Sequence, residues 1–350
     1  MILGRNLFFL IILITFIILF QNILTPKYMS NTYEGAMIAE YYSERFPHDV
    51  IFIGDCEVYS NYSPIALWEE YGITSYIRGG PQQLIWQSYY ILEDTLKHEA
   101  PEAVVFNVLA MQHSEPASEG YNRLNLDGLP LSLTKLKAVN ASKMDSESIY
   151  SYIFPIMRWH SRWNDISPDD LTYLFGRKRV SHNGYMLRCD IKPVDALPSK
   201  RPLADYSFND VCWEYLNKIT TLCKANDISL LLVKSPAVYP YWYDEWDIQI
   251  RAYAEDNGLL FLNLNALSDE IGIDMSTDTF NAGIHLNVSG AEKNSSYLGK
   301  VLSDYYGLSG HKDEPALHAV WEEKTMNYNA MKAKQEAEFN EHGKVLTFVY

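Results

Sequence analysis

The segment DVIFIGDCEVYSNYSP, residues 49–64, decides the fold of this chain. Its first half is a short run of β-branched and aromatic residues that ends at Gly54, which is typical of a strand buried on both faces. Similar runs recur at 75–80, 103–109, 229–235 and 259–264, and helical patterns occur at 66–72, 85–99, 211–226 and 246–258. This alternation predicts an α/β fold, a three-layer α/β/α sandwich around a mostly parallel sheet of about five strands.

The composition is that of a packed globular protein and argues against a nucleic-acid partner. Of the 350 residues, 47% are hydrophobic and 14% are aromatic, so we expect one large α/β domain. The chain carries 44 acidic and 29 basic residues, a formal charge of −15. Because a nucleic-acid partner requires a basic field, we expect no such partner.

The four cysteines do not form a recognisable metal or redox motif. Cys56, Cys189, Cys212 and Cys223 include no close pair of the kind found in zinc knuckles or CxxC sites. Cys212 and Cys223 fall on one predicted helix, roughly 16 Å apart, which is too far for a disulfide. We therefore predict no disulfide framework, no metal site and no cofactor.

The amino terminus predicts a membrane segment. Residues 7–24 are almost wholly apolar, close to the roughly 20 residues that cross a bilayer, and they follow Arg5. A cleaved signal peptide begins in the same way, but QNILTPKYMS at 21–30 offers no small-x-small cleavage site. We predict an uncleaved, single-pass anchor in the cell membrane, with residues 1–6 cytoplasmic and the main domain extracytoplasmic.

Beyond the anchor, the chain divides into a linker at 25–47, a main domain at 48–308 and a helical tail at 309–350. An insertion at about 112–202 interrupts the strand–helix rhythm, and we expect it on the rim of the site. It contains the basic cluster Arg177, Lys178 and Arg179, with Arg188 nearby, which either binds a phosphate or carboxylate or is a solvated loop. The tail has sparse apolar positions and predicts a solvated helix more than a docked one.

Candidate chemical residues follow the predicted strands, at the edge where parallel sheets form their sites. They are Gly54-Asp55-Cys56, the pair Gly79-Gly80, Asn107, and His285 in the loop NAGIHLNVSG. In this order, the four groups resemble the four blocks of the SGNH, or GDSL-like, hydrolase superfamily, over about residues 48–308. The resemblance implies an SGNH or flavodoxin-like fold that handles ester bonds.

The same resemblance implies a role for each block. Cys56 stands at the nucleophile position and His285 at the position of the catalytic histidine. The oxyanion hole would be formed by Gly79 or Gly80, by Asn107 and by the backbone N–H of Cys56. The segments FIGDCEVYSNYSP and HLNVSGAEK resemble in particular the anchored members found beside membrane-bound O-acyltransferases, such as alginate acetyltransferases and accessory proteins of lipoteichoic-acid D-alanylation.

Two positions depart from the family pattern. The nucleophile is a thiol, which can carry an acyl group as a thioester when its pKa is lowered. The family aspartate three residues before the histidine is replaced by Ala282, so Asn281 and Asp278 are the candidates to orient His285. An asparagine can orient the histidine of a Cys–His pair.

An aromatic segment, YPYWYDEW at 239–246, follows the strand that ends at Lys234. We predict that Lys234, Tyr241, Trp242 and Tyr243 contact the substrate, since flat rings stack on sugar faces and line acyl pockets. Packing of these rings over the sheet edge is the alternative.

Two functional hypotheses follow. The first is an extracytoplasmic acyltransferase or esterase that acts on an envelope polysaccharide or glycolipid through Cys56 and His285. The resemblance implies a membrane-bound O-acyltransferase as its partner. The second is a catalytically inactive protein of the same fold that binds a polysaccharide or assists export and assembly. The thiol and the missing family aspartate favour the second.

Overall fold

One parallel sheet forms the centre of the molecule. The computed structural model describes residues 2–26, 37–172, 181–194, 196 and 199–347. The strands are β1 (Val50–Ile53), β2 (Ser75–Ile77), β3 (Ala103–Asn107), β4 (Ser229–Lys234) and β5 (Leu260–Asn263). Their order is β2-β1-β3-β4-β5, and every neighbouring pair is parallel. The prediction of a mostly parallel five-stranded α/β sheet is confirmed.

Helices surround the sheet on both faces. The α-helices are α1 (Ile2–Leu24), α2 (Cys56–Asn61), α3 (Pro64–Tyr71), α4 (Ile85–Thr95), α5 (Glu119–Leu126), α6 (Leu133–Ser142), α7 (Ile149–Ile153), α8 (Ile156–Trp159), α9 (Pro168–Thr172), α10 (Asp210–Ala225), α11 (Asp244–Asn257), α12 (Ser268–Ile271), α13 (Val288–Tyr306) and α14 (Pro315–His342). Short 3₁₀ helices span Met37–Ser43, Val108–Gln112 and His160–Asp165.

The alternation of side chains along the strands gives the sheet two apolar faces. Ile51 and Ile53 of β1 belong to the core shared with α4, α10 and α11. Val50 and Phe52 belong to the core shared with α2, α3, α13 and α14. Because both faces are covered, the strands are continuous apolar runs, which is why the sequence revealed them.

The regular structure of the segment at 112–202 is helical, and its described residues include no named strand. Helices α5 to α7 enclose a small core of their own, in which Leu126, Val139 and Tyr152 pack with Ile91 of α4. The later part joins the main core, since the Met186 N–H donates to the carbonyl of Tyr59 at 2.7 Å. The basic cluster at 177–179 lies outside the described residues.

The tail helix α14 is docked, and the expectation of a solvated appendage is wrong. Leu317, Trp321 and Tyr328 are buried, and Trp321 stacks on Trp68 of α3 with ring centroids 5.2 Å apart. Gln335 donates to the carbonyl of Leu187 and accepts from the Cys189 N–H, both at 3.1 Å. A few large side chains along one stripe are sufficient to dock a 28-residue helix.

The amino-terminal helix α1 has 23 residues and exposes most of its apolar side chains. It is long and apolar enough to cross a membrane, a property that an anchor and a signal sequence share. Among the described residues, its carboxyl end packs on the protein, against α8, α9 and the 3₁₀ helix at 160–165. At the end of α1, Leu24 is fully buried and its carbonyl accepts a hydrogen bond from Arg162 at 2.8 Å.

Candidate active site

Cys56 is the first residue of α2 and directly follows the end of β1. The turn depends on Gly54, whose φ is +146°, and a β-carbon there would lie 3.0 Å from Cβ of Asn107. Asp55 caps the helix, since its Oδ1 accepts from the Glu57 N–H at 3.1 Å. β1 and β3 flank the point where the strand order reverses, and in open α/β sheets this point is the usual place for a site.

The two glycines after β2 are required by close packing. A β-carbon on Gly79 would lie 2.0 Å from Cγ2 of Val58 and 2.9 Å from the carbonyl oxygen of Gly54. A β-carbon on Gly80 would lie 2.1 Å from Oδ1 of Asn125. Neither glycine has a positive φ, so close packing and not a left-handed turn accounts for the pair. Gly79 lies against the β1–α2 turn that carries Cys56, and its oxyanion role stays a prediction.

Behind Cys56 lies a buried polar network centred on Glu57. Its Oε1 accepts from Nζ of Lys234 at 2.7 Å, and its Oε2 accepts from Nδ2 of Asn107 at 2.9 Å. The same Nδ2 donates to Oγ of Ser235 at 2.7 Å, and this hydroxyl donates to the OH of Tyr62 at 2.8 Å. Burial raises the pKa of Glu57, while Lys234 opposes that rise.

The network affects two predicted site residues. Both Nδ2 hydrogens of Asn107 are used by Glu57 and Ser235, so an oxyanion role would require one of these bonds to break. Lys234 is fully buried, and its ammonium also donates to the carbonyl of Ser235 at 2.6 Å. In this structure Lys234 is therefore part of the framework beneath the site, and the prediction that it contacts substrate is wrong for this arrangement.

His285 lies in the loop between α12 and α13, held by Asn281. The His285 backbone N–H donates to Oδ1 of Asn281 at 2.7 Å, which turns Nδ2 of that amide toward Nδ1 of the ring, 2.8 Å away. Because Nδ2 can only donate, Nδ1 must accept and the ring proton resides on Nε2. The ring also stacks on Phe280, with centroids 5.8 Å apart.

The other ring nitrogen has no partner. Nε2 of His285 is buried and makes no hydrogen bond within the described part of the chain, so it is not bonded to the thiol of Cys56 here. Burial lowers the pKa of His285 to about 4, opposed by the charge of Asp55. The imidazole is therefore neutral at physiological pH, and its Nε2–H is an unused donor.

Asn61, the last residue of α2, ties the histidine loop to the helix that Cys56 begins. Its Oδ1 accepts from the Leu286 N–H at 2.9 Å, and its Nδ2 donates to the carbonyl of Pro236 at 3.1 Å. Its own carbonyl accepts from Nδ2 of Asn294 at 2.9 Å. This buried asparagine thus connects α2 to the segment after β4, to the loop that carries His285 and to α13.

The electrostatic environment of Cys56 favours the neutral thiol. Burial, followed by the charges of Asp55 and Glu57, raises the pKa of Cys56 well above its ordinary value, and Lys234 only partly opposes them. Asp55 and Lys234 also act on His285, so the thiol and the imidazole share one electrostatic environment. The lowered thiol pKa that an ion-paired Cys–His site needs is absent from this arrangement of the described residues.

Asp278 does not orient His285. Its Oδ2 accepts from the Asp274 N–H at 2.8 Å and from Nζ of Lys293 at 2.7 Å, and it is fully buried. Of the two candidates to orient His285, Asn281 is the one bonded to the imidazole, and neither ring nitrogen is bonded to Asp278 in this structure. The aspartate stabilises the base of the loop instead.

Sequence reasoning missed a second histidine at this edge. His113 follows the 3₁₀ helix after β3, and its Nε2 lies 3.6 Å from Oδ2 of Asp55. Its side chain is partly exposed, whereas Asp55 is buried. The signal that could have identified His113 is its position, six residues after Asn107 and close behind a predicted strand end.

The aromatic segment is mainly structural. Trp242 and Tyr243 are buried; Trp242 packs on Trp246 with centroids 5.5 Å apart, and the Tyr243 hydroxyl donates to the carbonyl of Arg201 at 2.7 Å. The prediction that these two rings contact substrate is wrong for this arrangement, because their faces are covered. Tyr241 is partly exposed, and Tyr239 of the same segment is 51% exposed.

Two further groups of charged side chains involve Arg188 and His311. Arg188 pairs with Asp190 and lies over the ring of Phe280, 5.0 Å from its centroid. At the opposite edge of the sheet, Asp49, Glu102 and His311 place possible metal-ligand atoms within 4.8 Å of one another. His311 uses Nε2 on Asp49 at 3.0 Å and Nδ1 on Glu314 at 2.8 Å, so carboxylates engage both of its ring nitrogens in this structure.

No family model and no curated protein matches the chain. Similar solved structures include proteins described as an acylhydrolase from Bacteroides fragilis (12% identity, 77% of this chain and 95% of that one, TM-score 0.38), a GDSL-like lipase from Bacteroides thetaiotaomicron (13%, 77% and 99%, 0.37) and a GDSL-like lipase from Parabacteroides merdae (9%, 75% and 98%, 0.34). Two of these three neighbours are described as GDSL-like lipases. Similarity at this level says nothing about the chemistry, which rests on the residues of the site.

Proposed function

We propose that this chain is a membrane-anchored esterase or acyltransferase of the SGNH type, with Cys56 as the acyl-accepting nucleophile and His285 as the residue that handles its proton. One observation carries the proposal: a buried, unpartnered Nε2 on a histidine that Asn281 orients, in a loop bound through Asn61 to the helix that Cys56 begins. An unpartnered buried polar group is costly, so it calls for an explanation, and a reacting group supplies one.

The chemistry would proceed in two steps. His285 takes the proton of Cys56, the sulfur attacks the acyl carbonyl, and the alcohol leaves with that proton, which forms a thioester. A sugar hydroxyl or water then attacks the thioester and regenerates the thiol. For the first step Nε2 must be the free base, so the ring proton must move to Nδ1 and Asn281 must present Oδ1 to it.

The proposed substrate is a polysaccharide or glycolipid of the cell envelope. An apolar α1 of 23 residues supports an anchored protein whose main domain faces outward. Anchoring beside the membrane favours transfer over hydrolysis, because a membrane-bound O-acyltransferase could hand an acyl group to Cys56. That partner belongs to the proposal, drawn from the sequence resemblance.

Acyl-enzyme trapping tests the proposal. The full-length protein is incubated with a p-nitrophenyl ester, and mass spectrometry locates the adduct. We expect an adduct on Cys56 in the wild type and in a Cys189→Ala control, none in Cys56→Ala, and a slower one in His285→Ala. Labelling of a control serine hydrolase without any adduct on Cys56 would defeat the proposal.

The second candidate, a binding or assembly protein without turnover, is favoured by two observations. Burial and neighbouring carboxylates raise the pKa of the Cys56 thiol, and the amide of Asn107 is engaged by Glu57 and Ser235. A scaffold should tolerate Cys56→Ser without loss of its cellular role, whereas an enzyme should change its rate or its reactivity.

A further inference from the structure

Large apolar side chains are exposed on the short helices of the segment 154–171 and on the turns between them. We call this set the apolar patch; it consists of Phe154, Met157, Trp163, Ile166 and Leu171, which are between 37% and 63% exposed. Scattered apolar side chains are normal on a protein surface. Five of them within 18 residues indicate a surface that meets something other than water.

The helices that carry the apolar patch also hold the carboxyl end of α1. Helix α1 packs against α8, the 3₁₀ helix at 160–165 and α9, and each of these elements contributes a residue of the patch. Arg162 donates to the carbonyl of Leu24 and pairs with Asp170 at 3.1 Å. The patch therefore belongs to the part of the domain in contact with the end of the apolar helix.

The depth of α1 in a bilayer determines where the apolar patch lies relative to the membrane–water boundary. A helix of 23 residues spans about 34 Å, close to the roughly 30 Å of a hydrocarbon core, so Leu24 would lie near the membrane–water boundary. Trp163, next to Arg162, would lie at the same level. Tryptophan is enriched at this boundary, where an arginine can keep its charge among the headgroups.

We propose that the apolar patch lies in the headgroup region of the same bilayer that α1 spans and forms a second, in-plane membrane contact. This inference rests on the membrane-anchor part of the proposed function. One helix alone leaves the domain free to tilt and rotate, whereas the helix and the patch together hold it in one orientation. Apolar side chains that enter the interface gain the free energy of leaving water.

A photoreactive lipid tests this contact. Full-length protein is reconstituted into vesicles of phosphatidylcholine and phosphatidylglycerol that contain a phospholipid with a diazirine near its headgroup, and mass spectrometry maps the adducts. We expect adducts on α1 and on peptides covering 154–171. Adducts on α1 without any on 154–171 would overturn the inference, because the patch would then face water or a protein partner, and the anchor would stand.

Two sets of variants sharpen the result. In Met157→Ser with Trp163→Ser, labelling of 154–171 should be lost while labelling of α1 is kept. Tyr305→Ser with Met326→Ser removes similarly exposed apolar side chains from α13 and α14 and should change neither signal. Unchanged labelling of 154–171 in the first variant would contradict the role of the patch, and failure to label α1 would overturn both the anchor and the inference.

Discussion

At the scale of single residues, the amide of Asn281 determines which nitrogen of His285 carries the proton. Its Nδ2 faces Nδ1 of the ring, so Nε2 holds the hydrogen in this arrangement and must lose it before it can act as a base. A carboxylate at this position would accept from Nδ1–H, free Nε2 and stabilise the imidazolium. The asparagine therefore restrains the chemistry of the site.

Asn281→Asp should activate the site. The new charge should raise the pKa of His285 from about 4 and increase the rate of Cys56 acylation by about tenfold or more near pH 7. Histidine titration by NMR and the rate of adduct formation check both effects. An unchanged rate together with a raised histidine pKa would show that His285 does not serve Cys56.

At the scale of secondary-structure elements, the ion pair between Glu57 and Lys234 joins α2 to the end of β4. Glu57→Gln leaves the buried ammonium without its counter-charge and should lower the free energy of unfolding by about 3 kcal/mol. Glu214→Gln removes an exposed partner of Lys218 and should cost less than about 1 kcal/mol. Urea unfolding compares the two, and equal losses would contradict the structural role of the buried pair.

The docking of α14 depends on a few large side chains. Trp321→Ala should cost about 3 kcal/mol and make α14 sensitive to protease, because the stacking on Trp68 is lost and a cavity remains. Met326→Ala changes an exposed position of the same helix and should be nearly neutral. A helix that resists protease equally in both variants would show that other contacts hold it.

At the scale of the whole molecule, buried neutral histidine makes the protein sensitive to acid. In the unfolded chain His285 binds a proton near pH 6.5, but in the folded protein only near pH 4. Between these values the unfolded state binds more protons, so the free energy of unfolding falls as the pH falls, by on the order of 3 kcal/mol in total.

His285→Gln should remove this contribution. The loss of stability between pH 6.5 and pH 4, measured by urea unfolding, should become smaller in the variant than in the wild type. Burial also lowers the pKa of His182 to about 4. The contribution of His182 is unchanged in the variant, so part of the acid sensitivity remains. His98→Gln, at an exposed position, serves as the control, and identical curves for all three proteins would contradict the assignment.

The architecture was predictable because the strand Val50–Ile53 and residues 230–233 of the strand Ser229–Lys234 are buried on both faces and are apolar. The contact between Asn281 and His285 was also within reach, because the two residues share one loop. The hydrogen bonds of Asn107 and Lys234 with Glu57 could not be predicted, because these residues are far apart in the sequence and only the topology of the sheet brings them together. The docking of α14 was missed because one residue in every one or two turns is a weak pattern.

The rate at which iodoacetamide alkylates Cys56 at pH 7, compared between the wild type and His285→Ala, tests most directly whether the imidazole acts on the thiol. If the imidazole serves the thiol, the variant should react at about one tenth of the wild-type rate or more slowly. Circular dichroism should show that its fold is intact. Equal rates in the two proteins would mean that sulfur and imidazole act independently, which contradicts a Cys–His site.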